Sequence, residues 1–211
     1  MAGIGVKLNN IYGKRTLTTN IIGMGYSTVM TIAPMLTVIG ALCIMEHFLG
    51  FDSVGYATRE LFSCTVLYIF IFSLLTASPF NSVLSKYMSD IIYEETFEDI
   101  LPCYYVGMIL NITFSALFGI SFCIHEYLVG NVDIIYVFTG YCGFVALVLV
   151  FYSMLYLSIC KDYKKISFFF MIGMTVTVLL SFLFVKVIHM SITYGMLLAL
   201  AIGFWLIACL E

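Results

Sequence analysis

Residues 134 to 160 read IIYVFTGYCGFVALVLVFYSMLYLSIC, and no Asp, Glu, Lys or Arg interrupts them between Asp133 and Lys161. Moving a charged side chain to the centre of a bilayer costs about 2.5 kcal/mol or more. A helix needs roughly 20 residues to cross the hydrocarbon. This stretch therefore reads as one membrane crossing. Working outward from it, the same freedom from charge recurs at 16 to 45, 61 to 85, 100 to 125, 166 to 185 and 187 to 210.

The pattern predicts an all-α polytopic membrane protein with six transmembrane helices near 25–45, 61–84, 102–123, 134–158, 166–185 and 192–210. The first gap is longer than one crossing needs, which leaves 12–22 as an interfacial lead-in. The last two spans require a tight hairpin between Phe184 and Ile192, where Lys186, His189, Ser191 and Thr193 supply the polar groups.

Composition agrees. The chain is 63% hydrophobic and 10% charged, with a mean hydropathy of +1.10, where a soluble domain carries about 25% charged residues. A net charge of -3 and the lack of any long basic run leave no surface for tracking phosphates, so nucleic acid is not an expected partner. Met1 to Tyr12 lacks the basic, then apolar, then small-residue order of a cleaved leader, so the first span is expected to be retained.

Basic residues set the expected orientation. A cytoplasmic N-terminus puts Lys7, Lys14, Arg15, Lys86, Lys161, Lys164 and Lys165 inside and only Arg59 and Lys186 outside. The acidic run Glu94, Glu95, Glu98, Asp99 also falls inside, and six crossings return Glu211 to the cytoplasm. The chain reads as a single bundle, 1–211, compatible with a complete six-span protein or with half of a longer one.

Several residues stand out within the spans. Pro34 removes a backbone hydrogen bond inside the first, giving either a static bend or a hinge. Pro79 lies in Thr76-Ala77-Ser78-Pro79-Phe80-Asn81-Ser82, a stretch of small and polar side chains suited either to close helix packing or to lining a polar cavity. Beyond it, Ser82, Lys86, Asp90 and Tyr93 fall on one helical stripe, which allows a Lys86–Asp90 pair and makes the stripe a candidate gate or partner contact. Asn111, with Thr113 and Ser115 nearby, sits midway along the third span, where its amide is expected to bond another helix or to face a cavity.

Other chemistry is thin. The seven cysteines are scattered without the close spacing of a zinc set or redox pair and read as packing residues. His47, His125 and His189 lie near the outer boundary; Glu46 and Glu126 adjoin two of them, but neighbours in sequence do not face each other on a helix. The usual enzyme signatures, a His-x-x-x-His pair, a Gly-x-Ser-x-Gly elbow or a phosphate loop, do not occur. No catalytic residue, metal or cofactor is expected.

Three segments carry a family resemblance: the opening Met1-Ala2-Gly3-Ile4-Gly5-Val6-Lys7-Leu8, the Ala33-Pro34 pair, and Ser85-Lys86-Tyr87-Met88-Ser89-Asp90-Ile91-Ile92-Tyr93. Together they resemble the PelG family of Pel exopolysaccharide transporters, within the multidrug, oligosaccharidyl-lipid and polysaccharide exporter superfamily. Its members carry Phe where this chain has Val6, and a Thr-Arg-Tyr-x-Ser-Asp-like signature that here reads Ser85-Lys86-Tyr87-Met88-Ser89-Asp90. The resemblance implies one bundle of an exporter with about twelve helices, moving an amino-sugar-rich polysaccharide across the cytoplasmic membrane. It also implies a cytoplasmic glycosyltransferase and further membrane subunits as partners, beside membrane lipid. Carried onto this chain, it marks Gly3, Gly5, Pro34, Lys86, Ser89, Asp90 and Tyr93. A membrane scaffold that anchors the glycosyltransferase without transporting is the alternative expectation.

Overall fold

A computed structural model describes residues 17–93, 100–130, 132–159 and 163–211, with side chains of the first helix described from Ile32 onward. Six long helices account for nearly all of them: α1 Leu17–Phe48, α2 Tyr56–Tyr93, α3 Ile100–Val129, α4 Ile134–Ile159, α5 Tyr163–Phe182 and α6 Ile192–Leu210. No strand occurs among the described residues. By length and composition, Tyr56–Met88, Ile100–Val129, Ile134–Ser158, Lys165–Val187 and Ile192–Leu210 are each able to cross a membrane, and Ile32–Phe48 adds a shorter apolar segment in α1. The protein is an all-α, multi-helix membrane protein.

α1, α2 and α3 overrun the charge-free gaps from which their spans were predicted, whereas α4 and α6 stay within theirs. α2 has 38 residues, about 57 Å at 1.5 Å per residue, nearly twice the hydrocarbon thickness of about 30 Å. Charged residues mark where lipid ends and do not stop a helix, so Arg59, Glu60, Lys86 and Asp90 are all helical.

What stops the helices is local. Gly50 ends α1 at φ 72°, a left-handed conformation that glycine adopts without strain. A 3₁₀ turn at Phe51–Ser53 follows, and the Ser53 hydroxyl donates to Gly50 O at 2.6 Å. α5 loosens into a π-helical turn over Leu183–Val187, where Ile188 N–H reaches Leu183 O, and His189 at φ 59° makes the reversal into α6. The predicted hairpin is thus present, and Thr193, inside the predicted last span, is a buried residue of α6.

Cross-helix contacts fix the directions. Phe72–Phe122 and Phe80–Phe114 ring pairs make α2 and α3 antiparallel. The Ser73 hydroxyl meeting Phe144 O and the Asn81 amide meeting Phe151 O make α2 and α4 parallel. Phe48 at the end of α1 touches Phe182 at the end of α5. The α1–α2, α3–α4 and α5–α6 connections therefore gather at one end, here the hairpin end.

α4 and α6 form the centre, with Ala146, Leu147, Val148, Val150, Met196, Ala199, Leu200, Phe204 and Ile207 all fully buried. α2 and α3 pack on α4, α5 packs on α6, and α1 packs chiefly on α5 rather than on α2. Lipid provides no hydrophobic drive for helix pairing, so close approach has to come from small residues. At the α5–α6 contact a Cβ built on Gly173 would lie 3.4 Å from the Gly203 carbonyl oxygen, and one built on Gly203 would lie 3.4 Å from that of Gly173.

α3 is built inside out. Its buried residues are Asn111, Ser115 and Gly119, one turn apart on a single face. Leu101, Ile109, Leu117, Phe118 and Leu128 on the remaining surface are exposed.

Candidate functional site

The half of α2 toward Tyr93 carries the polar surface that the sequence singled out. Ser78, Pro79, Ser82, Lys86 and Asp90 are exposed, and Tyr93 is 90% exposed. On the opposite face, Ser73, Thr76, Ala77, Leu84 and Met88 are buried against the bundle. The stripe thus turns away from its own helical neighbours.

Pro79 has no N–H to offer the carbonyl of Leu75, which frees that oxygen. Leu75 and Pro79 are both exposed, so the freed carbonyl belongs to the outward side of the helix. One turn on, the Ser82 hydroxyl donates to Ser78 O at 3.0 Å, and that of Ser85 donates to Ser82 O at 3.1 Å. Such bonds to the preceding turn satisfy the hydroxyl protons but bend a helix. The Lys86–Asp90 ion pair allowed by spacing is not formed among the described residues, which leaves both charges available to solvent or a partner.

Pro34 behaves differently. It is buried in α1, and the Thr37 hydroxyl donates to its carbonyl at 2.7 Å. Gly3 and Gly5, together with the side chain of Ser89, lie outside the described residues, as do Lys7, Lys14 and Arg15.

Asn81 turns inward. Its Nδ2 donates to Phe151 O at 3.4 Å while its Oδ1 is buried without a partner. Asn111 is fully buried, and neither amide atom has a hydrogen-bond partner among the described residues. This overturns the expectation that its depth would force a bond to another helix. Ser115 and Thr113 close their hydroxyls locally, onto Ile112 O and Ile109 O.

Beneath the stripe lies a tyrosine cluster that composition alone did not distinguish from ordinary membrane aromatics. The Tyr152 hydroxyl donates to Tyr104 O at 3.0 Å, and Tyr104 Oη shares a 3.0 Å bond with Ser153 Oγ. The Tyr104 and Tyr152 rings stack at 5.3 Å, with Tyr156 at 4.8 Å from Tyr104. Leu84 and Met88 of α2 pack in the same group. The available signal was Tyr152 and Tyr156 four residues apart, opposite Gly107, the gap in α3 into which Tyr152 fits.

At the hairpin end a polar basin of about 540 Å³ opens between α1 and α2, lined by Glu46, His47, Asp52, Tyr56, Arg59 and Glu60 among others. Arg59 pairs with Asp52 at 3.3 Å and lies 5.8 Å over the Phe51 ring, and the Tyr56 hydroxyl donates to Glu60 at 2.5 Å. Nearby on α3, His125 Nδ1 and Glu126 Oε1 come within 3.6 Å, so these sequence neighbours do meet, by bending along the helix surface.

Among the described residues no three His, Cys, Asp or Glu side chains group to hold a metal. Cys43, Cys64 and Cys209 are exposed and Cys103, Cys123 and Cys142 half-buried, all as free thiols.

Serine hydroxyls, a freed carbonyl and the charges of Lys86 and Asp90, unpaired among the described residues, thus lie along one outward track. The family model PelG, described as exopolysaccharide exporter (EPS-E), matches residues 1–211. No curated protein matches the chain, and neither does any solved structure.

Proposed function

We propose, because the chain belongs to the PelG family of exopolysaccharide exporters, that the outward stripe of α2 forms part of the polysaccharide route through the membrane. The observation carrying this is Pro79: a freed carbonyl and the Ser78–Ser82 hydroxyls on the exposed side of a spanning helix are costly against lipid and stable against water or sugar. The family is one of transporters rather than enzymes, and such an exporter handles polysaccharide and membrane lipid.

In the finer reading, this bundle is one half of a larger exporter in the cytoplasmic membrane, with its N-terminus inside. Pro34 and Pro79 give α1 and α2 points of bending, and the bundle rocks against a second one to give access alternately from each side. The cargo is an amino-sugar-rich polymer delivered by a cytoplasmic glycosyltransferase, with other membrane subunits attached. Catalysis by the chain itself has no part in it.

Labelling tests the route. Ser78→Cys and Ser82→Cys in a background lacking Cys43, Cys64 and Cys209 are expected to react with a membrane-impermeant maleimide in sealed vesicles, and added polymer is expected to protect them. A lack of labelling at both positions, with a Lys86→Cys control reacting, overturns the reading.

The length of α2 favours a second reading, in which Lys86 to Tyr93 stands beyond the hydrocarbon as a scaffold for the glycosyltransferase. Lys86→Ala and Asp90→Ala separate the two. Loss of export with enzyme recruitment intact supports the route, whereas loss of recruitment itself supports the scaffold.

A further inference from the structure

A second cavity, of about 130 Å³, lies between α2, α3 and α4 in the half of the bundle nearest the hairpin end. Its walls are aromatic: Tyr68 and Phe72 from α2, Phe122 from α3 and Phe144 from α4. Phe122 sits 5.6 Å from Phe72 and 6.4 Å from Tyr68, ring to ring, so three rings bridge α2 and α3 over the floor made by α4. The volume is close to the roughly 150 Å³ that accepts benzene in an engineered protein cavity, enough for about six carbons.

One end of this apolar slot is polar. Tyr136 is 8% exposed, lines the cavity, and its hydroxyl completes no well-aligned hydrogen bond among the described residues. It lies beside the Thr65 hydroxyl, whose own proton goes to Leu61 O at 2.7 Å. Glu126 also lines the cavity at the end of α3, with its side chain 34% exposed. Arg59, at the start of α2, is held by Asp52. An unsatisfied buried hydroxyl beside an apolar slot is a cost that an amphiphile of matching shape removes.

We propose that this slot binds a membrane phospholipid with an amino head group. A run of the acyl chain lies among the rings, the Tyr136 hydroxyl donates to an oxygen near the glycerol, and the ammonium pairs with Glu126. The occupant is a lipid because the slot opens within the span, where hydrocarbon is the surrounding solvent. It is an ethanolamine lipid because the carboxylate at the rim is Glu126, with His125 beside it on the more exposed side, and an anionic head group would meet that carboxylate with like charge.

Native mass spectrometry of the full chain in detergent, with equal amounts of phosphatidylethanolamine and phosphatidylglycerol added, tests this. The wild type is expected to retain the ethanolamine lipid roughly two- to fivefold better, the range of a partly exposed ion pair. Glu126→Gln is expected to abolish the preference while leaving a lipid bound. Val137→Phe, which places a ring in the slot, is expected to lose both lipids. Equal retention of the two by the wild type, a preference unchanged in Glu126→Gln, or full lipid binding by a folded Val137→Phe each overturns the proposal. Should Val137→Phe fail to fold, the Glu126→Gln comparison alone decides.

Discussion

Gly107 is where the α3–α4 joint is most sensitive to a single added atom. A methyl group there would overlap the Tyr152 hydroxyl oxygen and come within 3.0 Å of Cζ and 3.5 Å of Cε2. Tyr152 is fully buried and anchored to Tyr104 O, so it has no free volume into which to retreat. Overpacking of this kind costs about 1–3 kcal/mol, offset by up to about 1 kcal/mol because alanine is the better helix former. Gly107→Ala alone is therefore expected to destabilise by about 1–2 kcal/mol. Tyr152→Phe alone loses one hydrogen bond, about 1 kcal/mol, and also removes the oxygen that the methyl group strikes. In the Tyr152→Phe background, Gly107→Ala should then cost no more than a few tenths of a kcal/mol, because only the 3.0 Å approach to the ring remains. The expected coupling is about 1–2 kcal/mol, well above the ~0.5 kcal/mol within which independent sites add. Unfolding of the four proteins in mixed detergent and dodecyl sulfate micelles, followed by circular dichroism, measures it. An equal loss from Gly107→Ala in both backgrounds would refute the assignment of Tyr152 as the residue that keys α3 to α4.

Asn111→Leu removes two unpartnered buried polar atoms and is expected to raise stability by about 1–3 kcal/mol in the same unfolding assay; a loss of stability would show that the amide is satisfied by a group such as internal water. Pro79→Ala restores an N–H for the Leu75 carbonyl and is expected to stiffen α2, leaving the melting temperature unchanged or higher while polymer export by whole cells falls. Burial pushes the Glu211 carboxyl up to about 8 from its ordinary 4.5. Between those values the folded protein keeps a proton that the unfolded chain releases, so stability should fall as pH rises through that window and level off above it. Glu211→Gln should flatten the profile, and thermal melts from pH 4 to 9 would expose any failure to do so.

The fold was legible because charge is so scarce: each uninterrupted run between ionic residues became a helix, and the polar cluster before Ile192 marked a true reversal. The ends of α4 and α6 were legible too, but those of α1, α2 and α3 were not. A helix continues past the lipid boundary wherever backbone bonding permits, and α2 keeps Arg59 in its first turn and Asp90 in its last for that reason. The outward stripe from Ser78 to Tyr93 followed from a spacing of four. That Lys86 and Asp90 stay apart did not, since an exposed ion pair gains too little to immobilise two long side chains. Asn111 was visible as an anomaly by depth alone, but its lack of a partner depends on what α2 and α4 happen to present at that height. The Tyr152 clamp and the aromatic slot were invisible for the same reason: both are made by residues far apart in the chain.

Because only an amide, a hydroxyl and a hydrogen atom of α3 are fully buried, its attachment to the bundle is concentrated in a few rings, Tyr104 against the α4 tyrosines and Phe114 and Phe122 against α2. That crossing is keyed by shape rather than by buried bulk, and the seat that Gly107 leaves for Tyr152 sets its register.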